Sequence, residues 1–440
     1  MLIKHQERPR IFHGWIVAIV SAITMGILAG GVRFSFPVFY VSILDDFGWS
    51  RAKTASIYSL HSIVSGMMAP LAGVLYDRFG PKKVILTGII IAVLALVGCG
   101  FSSSISQFYL SFGVFAALGL TLGGMIPHQA ALSNWFNRKR GRAFGMLHAG
   151  MGIGQMWPLL AQALISNVGW RMAYRITAAI VAAITLPIVY MFQGRRPKDM
   201  GLVPDGIAES PDEARNATAQ DRRGLLAVNE KWASTDWTLS RTIRTYRFWA
   251  LALALFCWFG MGMLLTITHQ VAFLVDIGFS AGFAASIAST AGLVNAGACL
   301  TGFISDRLGR EKAFTLGGVI FILAILMLFL VKDTSSPWML YLFVVFWGVG
   351  TGIGIPAIIA AEADLFQGRH FGAIIGTLTM ATSLGGILGP WLGGRIYDVT
   401  DSYDYAWVTA MAAIGASCLL LWVASPRKVM RVPGQAPKAL

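Results

Sequence analysis

Apolar stretches close to the ~20 residues a helix needs to cross a hydrocarbon core recur along the whole length of this 440-residue chain. Twelve can be read, at roughly 14–41, 54–76, 84–102, 107–133, 142–166, 172–192, 248–274, 281–304, 313–331, 338–361, 371–396 and 406–424. In lipid an open strand leaves its backbone unsatisfied, so each stretch is expected to be a helix. Composition agrees: 56% of residues are hydrophobic and only 13% charged, against about 25% in soluble domains. The expected fold class is an all-α membrane protein with twelve transmembrane helices in two six-helix bundles.

The one long polar interruption, residues 193–247, divides the spans six and six. This gives an N-terminal bundle over 1–192, a linker loop over 193–247, a C-terminal bundle over 248–424 and a tail over 425–440. Lysine and arginine set the orientation, because basic residues stay on the cytoplasmic side. With the N-terminus inside, only Arg51, Lys53, Arg171 and Lys332 of the basic residues between spans face outward. Both termini and the linker are therefore expected in the cytoplasm, and the first span is read as retained, since "MLIKHQERPR" lacks a signal-peptide pattern. A net charge of +14 invites a nucleic-acid reading, but the basic residues form no single patch, so no nucleic-acid partner is expected. Cys99, Cys257, Cys299 and Cys418 lie inside apolar runs without CxxC spacing, which points to neither disulfide nor metal.

The halves repeat. "GVLYDRFGPKK" from Gly73 aligns with "GFISDRLGREK" from Gly302 at an offset of 229, matching Gly73, Asp77, Arg78 and Gly80 to Gly302, Asp306, Arg307 and Gly309. A second pair, "WFNRKRGRAFG" and "LFQGRHFGAIIG", follows at nearly the same offset. Duplication of this kind suggests two pseudo-symmetric bundles that rock around a central site.

With G-x-L-x-D-R-x-G-x-[KR]-[KR] between spans 2 and 3, the chain resembles the major facilitator superfamily over essentially its whole length. Within it, Gly14-Trp15, "FGWSR", "WFNRKRGRAFGMLHAGMGIG", "GWRMAY" and "RRPKDMGLVPDG" are similar to the monocarboxylate and oxalate–formate branch and its bacterial relatives. The resemblance implies a conformational latch built from Asp77, Arg78, Asp306 and Arg307, with Asp77 against the start of span 11 and Asp306 against the start of span 5. A carboxylate facing a helix N-terminus gains about 0.3–1 kcal/mol, which suits a bistable contact. The chain departs from the branch in one respect: where many members carry a span-8 arginine, "STAGLVNAGACLTGFISDR" offers Asn295 to Ala298.

Arg33 is the one charge between Gly14 and Leu44. It stands about 28 Å along a helix from Gly14, in the outer part of span 1. Its side chain either snorkels to the headgroups or faces a cavity. Gly30, Gly31 and Pro37 suggest a bent or unwound segment, as in transporter binding sites. An intramembrane cation is costly, so Arg33 is assigned to the substrate's anionic group, with His269 nearby and His128 and Asn295 as further binding candidates. Histidine titrates near neutrality, and no Asp or Glu lies deep within a span, so His128, His148 and His269 are the proton-coupling candidates; His61 is a fourth intramembrane histidine. His128 and His148 flank Arg138 at ten residues each and are expected to face one another at similar depth. Glu362 and Asp364 fall at the cytoplasmic edge. Glycine-rich "HAGMGIG" and "TSLGGILGPWLGG" follow no strand and read as helix-packing segments. Asp236 to Arg247 reads as a short amphipathic surface helix with a Ser or Thr cap.

The expected function is alternating-access symport of a small organic solute across the inner (plasma) membrane by a lipid-embedded monomer. Proton-coupled uptake of a monocarboxylate-like anion is favoured. A larger aromatic or heterocyclic nutrient of vitamin (riboflavin-like) type, or efflux, is the alternative. A membrane enzyme would need paired carboxylates, a metal cluster or a Ser/His/Asp set, and a sensor a folded signalling domain; neither pattern is found, and no cofactor is expected.

Overall fold

The structure, a computed structural model, describes residues 12–49, 51–193, 197, 204–206 and 227–432. Among the described residues the architecture is helical, with one isolated bridge between Ala227 and Met430. The first bundle contains α1 (His13–Phe47), α2 (Arg51–Phe79), α3 (Pro81–Phe101), α4 (Ile105–Trp135), α5 (140–168) and α6 (170–192). The second contains α7 (Tyr246–Asp276), α8 (Gly282–Leu308), α9 (Arg310–Leu330), α10 (Trp338–Phe366), α11 (Phe371–Thr400) and α12 (Asp404–Ala424). Among the described residues, eleven continuous helical stretches are long and apolar enough to cross a membrane. The twelfth span emerges because one of them, Arg140–Phe192, is 53 residues long, nearly twice what a bilayer needs. It breaks after Gly154 and reverses at Gly169, whose φ of 74° suits a residue without Cβ.

The packing repeats as the sequence does. In the first bundle α1 lies on α5, α2 on α4 and α3 on α6; in the second α7 lies on α11, α8 on α10 and α9 on α12. The bundles meet along two related seams, α2 against α11 and α5 against α8. The motif glycines explain how the seams close. A Cβ on Gly73 would overlap the Gly372 carbonyl oxygen, and one on Gly141 would overlap that of Gly302. Only glycine lets backbones cross this closely. At the motif's other end Gly80 and Gly309 take φ of 80° and 101°, turning the chain into α3 and α9.

Among the described residues, three spans carry wide π-turns: Gly30–Phe34 in α1, Tyr109–Ala116 in α4 and Phe256–Leu264 in α7. In α1 the causes are local. Pro37 has no backbone N–H to give, and Ser35 Oγ donates to the Gly31 carbonyl at 2.6 Å. Within the linker, Glu230–Ser234 and Leu239–Thr242 are short helices, the second capped by Thr238. The surface helix expected from Asp236 is therefore only one turn long.

Candidate transport site and its closed face

A cavity of about 230 Å³ lies between the bundles. Its polar lining comes from Arg33 on α1, Tyr58, His61, Ser62 and Ser65 on α2, Thr121 on α4, and Thr379 and Ser383 on α11. Met25, Met125, Met151 and Leu264 supply apolar surface. The π-turn of α1 presents Arg33, and π-turns recur at functional sites because they re-aim a side chain. The guanidinium is accessible and makes a single hydrogen bond among the described residues, from Nε to the Tyr58 hydroxyl at 3.3 Å. Ser65 Oγ is sequestered there without a hydrogen-bond partner.

The other binding and coupling candidates lie elsewhere. His269 is turned to α11, with Nε2 2.9 Å from the Pro390 carbonyl oxygen, and does not stand beside Arg33 in the cavity lining. His128 and His148 engage separate partners instead of each other. His128 Nδ1 is 2.9 Å from Ser21 Oγ, and His148 Nδ1 is 3.1 Å from the Phe144 carbonyl of its own helix. Asn295 donates to Thr351 Oγ1 on α10 at 2.7 Å, which uses its amide within the second bundle. The physical reason is shared: each of these side chains has a nearby complementary group that engages one of its polar atoms.

At the motif face, Asp77 accepts from the backbone N–H of Gly372 at 3.0 Å and of Ala373 at 2.9 Å, at the start of α11. Asp306 accepts from Gly141 at 3.0 Å and Arg142 at 3.2 Å, at the start of α5. The motif arginines are different. Arg78 and Arg307 are exposed and lie over the rings of Phe79 and Phe303 on their own helices, 5.2 and 5.3 Å away, so neither crosses a seam.

It is Arg140 of α5 that bridges the bundles, onto Asp364 of α10. Arg310 donates to Asp306 and, through Nε, to Asp364, each at 2.7 Å; Arg140 donates to the other oxygen of Asp364 at 2.5 Å. All four side chains are buried. Breaking such a pair by removing one member typically costs about 3–5 kcal/mol. The repeat itself held the clue, because the position 229 residues before Arg310 is Pro81. The counterpart position in the first half thus carries no guanidinium.

Two further ties join α4 to α10. Gln129 donates to Glu362 at 2.5 Å, and Gln367 donates to the Ser133 carbonyl at 2.6 Å. Glu362 is thus buried between the bundles instead of resting at a water-facing edge. In the linker, Asp205 accepts from the N–H groups of Asn137, Arg138 and Lys139, pinning the turn between α4 and α5. The bonds of Asp77, Asp306, Arg140, Gln129 and Gln367 tie the two bundles together at the motif face.

A sequence model of the Major Facilitator Superfamily matches residues 15–348 and 294–439. Monocarboxylate transporter 13 of Rattus norvegicus is 28% identical over 421 residues, covering 93% of this chain and 89% of the relative. Monocarboxylate transporter 4 of Mus musculus is 25% identical over 409 residues, covering 89% and 80%. Among solved structures, an E. coli fucose:proton symporter superposes with a TM-score of 0.68 at 14% identity, over 93% of this chain and 98% of the other. A proton:xylose symporter gives 0.67 at 15%, over 93% and 95%. At those identities the structural likeness carries the fold alone.

Proposed function

We propose, from the premise that the chain belongs to the Major Facilitator Superfamily, that it is a secondary transporter whose solute is a small organic anion taken up with protons. The observation that carries this reading is Arg33: an accessible guanidinium in a cavity between the bundles, hydrogen-bonded only to a phenol among the described residues. A permanent cation in such a place is costly without a counter-charge, and a carboxylate supplies one in two parallel hydrogen bonds. The monocarboxylate names of its relatives support the same class. The volume favours a small acid over a vitamin-sized solute, since about 230 Å³ is below the usual range for drug-sized ligands, roughly 300–1,000 Å³.

Alternating access would release the face now held by Asp77 and Asp306 and expose Arg33 to that side. The membrane is the cell's inner membrane, with the linker and both termini in the cytoplasm, as the distribution of Lys and Arg supports.

Proteoliposomes test the assignment. With a panel of labelled lactate, pyruvate, glycolate, formate and oxalate, wild type should exchange at least one acid and concentrate it when the outside is acidified. Arg33→Lys should lose most uptake, because a point charge cannot reproduce a planar fork. Exchange of no panel member, or full uptake by both Arg33→Lys and Arg33→Gln, would overturn it.

A further inference from the structure

We infer that His61 takes up the co-transported proton, and that the anion held at Arg33 controls how readily it does so. The inference rests on the proton-coupled reading above and names the group through which coupling acts. Among the described lining residues, the ionisable side chains of the cavity are Arg33, Tyr58 and His61, and no Asp or Glu joins them. His61 is therefore the one whose ordinary titration range lies near neutral pH.

The surroundings divide its two nitrogens. Nδ1 lies 3.1 Å from the Phe112 carbonyl oxygen of α4, an acceptor that fixes Nδ1 as the N–H. The imidazole stacks near-parallel to Tyr58, with centroids 5.9 Å apart, and tilts against Phe112 at 5.0 Å. Thus Nε2 carries the lone pair, in a residue that lines the cavity. The groups facing His61 are few. Its own helix brings Tyr58, α1 brings Arg33, α4 brings the Phe112 ring and carbonyl, and α11 lines the cavity with hydroxyls of Thr379 and Ser383. Tyr109 of α4 is engaged by Ser56, one turn further toward the start of α2.

Coupling then follows from like charges. With the cavity empty, the guanidinium of Arg33, joined to His61 through the Tyr58 side chain, opposes a second positive charge. A carboxylate bound at Arg33 cancels that opposition, and a proton from cavity water binds Nε2. By reciprocity the protonated imidazole tightens the anion by the same factor. On the other side, departure of the anion restores the repulsion and returns the proton to water. His128, His148 and His269 have no part in this cycle, because none lines the cavity.

The test uses the full chain in proteoliposomes, with the panel acid that wild type exchanges fastest as probe. Wild type should concentrate the acid under an inward proton gradient, with an apparent KM that rises up to about tenfold per pH unit above the histidine's titration. His61→Gln should keep exchange, lose accumulation, and show a KM that is flat from about pH 6 to about pH 8. For a variant too slow to assay, the Tm shift produced by the same acid across that range replaces KM; it should fall with pH in wild type and stay level in His61→Gln. Accumulation or pH dependence in His61→Gln equal to wild type would overturn the role of His61. Exchange without gradient-driven accumulation in wild type would instead overturn the proton-coupled reading beneath it.

Discussion

Asp364 shows how much one side chain can carry. It accepts from Arg140 of one bundle and Arg310 of the other, all three buried. Asp364→Asn leaves two guanidiniums sharing a site without that counter-charge, and the melting temperature should fall by the equivalent of about 3–5 kcal/mol. Arg78→Gln is the contrasting substitution. Its guanidinium is exposed over Phe79, so thermal melting should register no more than about 0.5 kcal/mol. Equal losses in both variants would mean that the buried network contributes nothing special. Neither residue's part could be read along the chain. Arg140 and Asp364 are 224 positions apart, and α10 is apolar on every side, so no stripe marks which residues turn inward. The same limit hid His61, which is one of four intramembrane histidines until rotation about α2 puts it beside Arg33. Arg33 itself was legible, because a lone charge among apolar neighbours stands out whatever the helix phase.

Whole elements were easier to read than their faces. Length and apolarity mark every span, and the duplicated D-R segment marks which ends share a side. The α5 and α6 helices run on almost without a loop, reversing at Gly169. The glycine crossings carry the next expectation. Gly141→Leu puts a side chain where the Gly302 carbonyl oxygen sits, and Gly73→Leu does so at Gly372. Each should prop its seam open, raising the reactivity of a cysteine at the buried Ser133 toward a thiol reagent added from the motif side. Protection as strong as in the parent would show that the seams close without intimate backbone contact.

For the molecule as a whole, sidedness is checked by single cysteines at exposed positions. Ser234→Cys in the linker should resist an impermeant thiol reagent in intact cells, and Ser335→Cys between α9 and α10 should react. The reverse pattern would invert the topology. The charge held at the centre has an electrical consequence. In the proposed cycle the empty cavity carries the single positive charge of Arg33 and the loaded one that charge plus one anion and one proton, so the sum is unchanged. The outward and return journeys then move the same charge through the membrane field, and a full cycle transfers none. A membrane voltage, worth about 2.3 kcal/mol per 100 mV for each charge carried across, finds nothing to act on. Clamping the potential with potassium and valinomycin should therefore leave the final concentration ratio untouched, while each unit of pH difference should raise that ratio about tenfold.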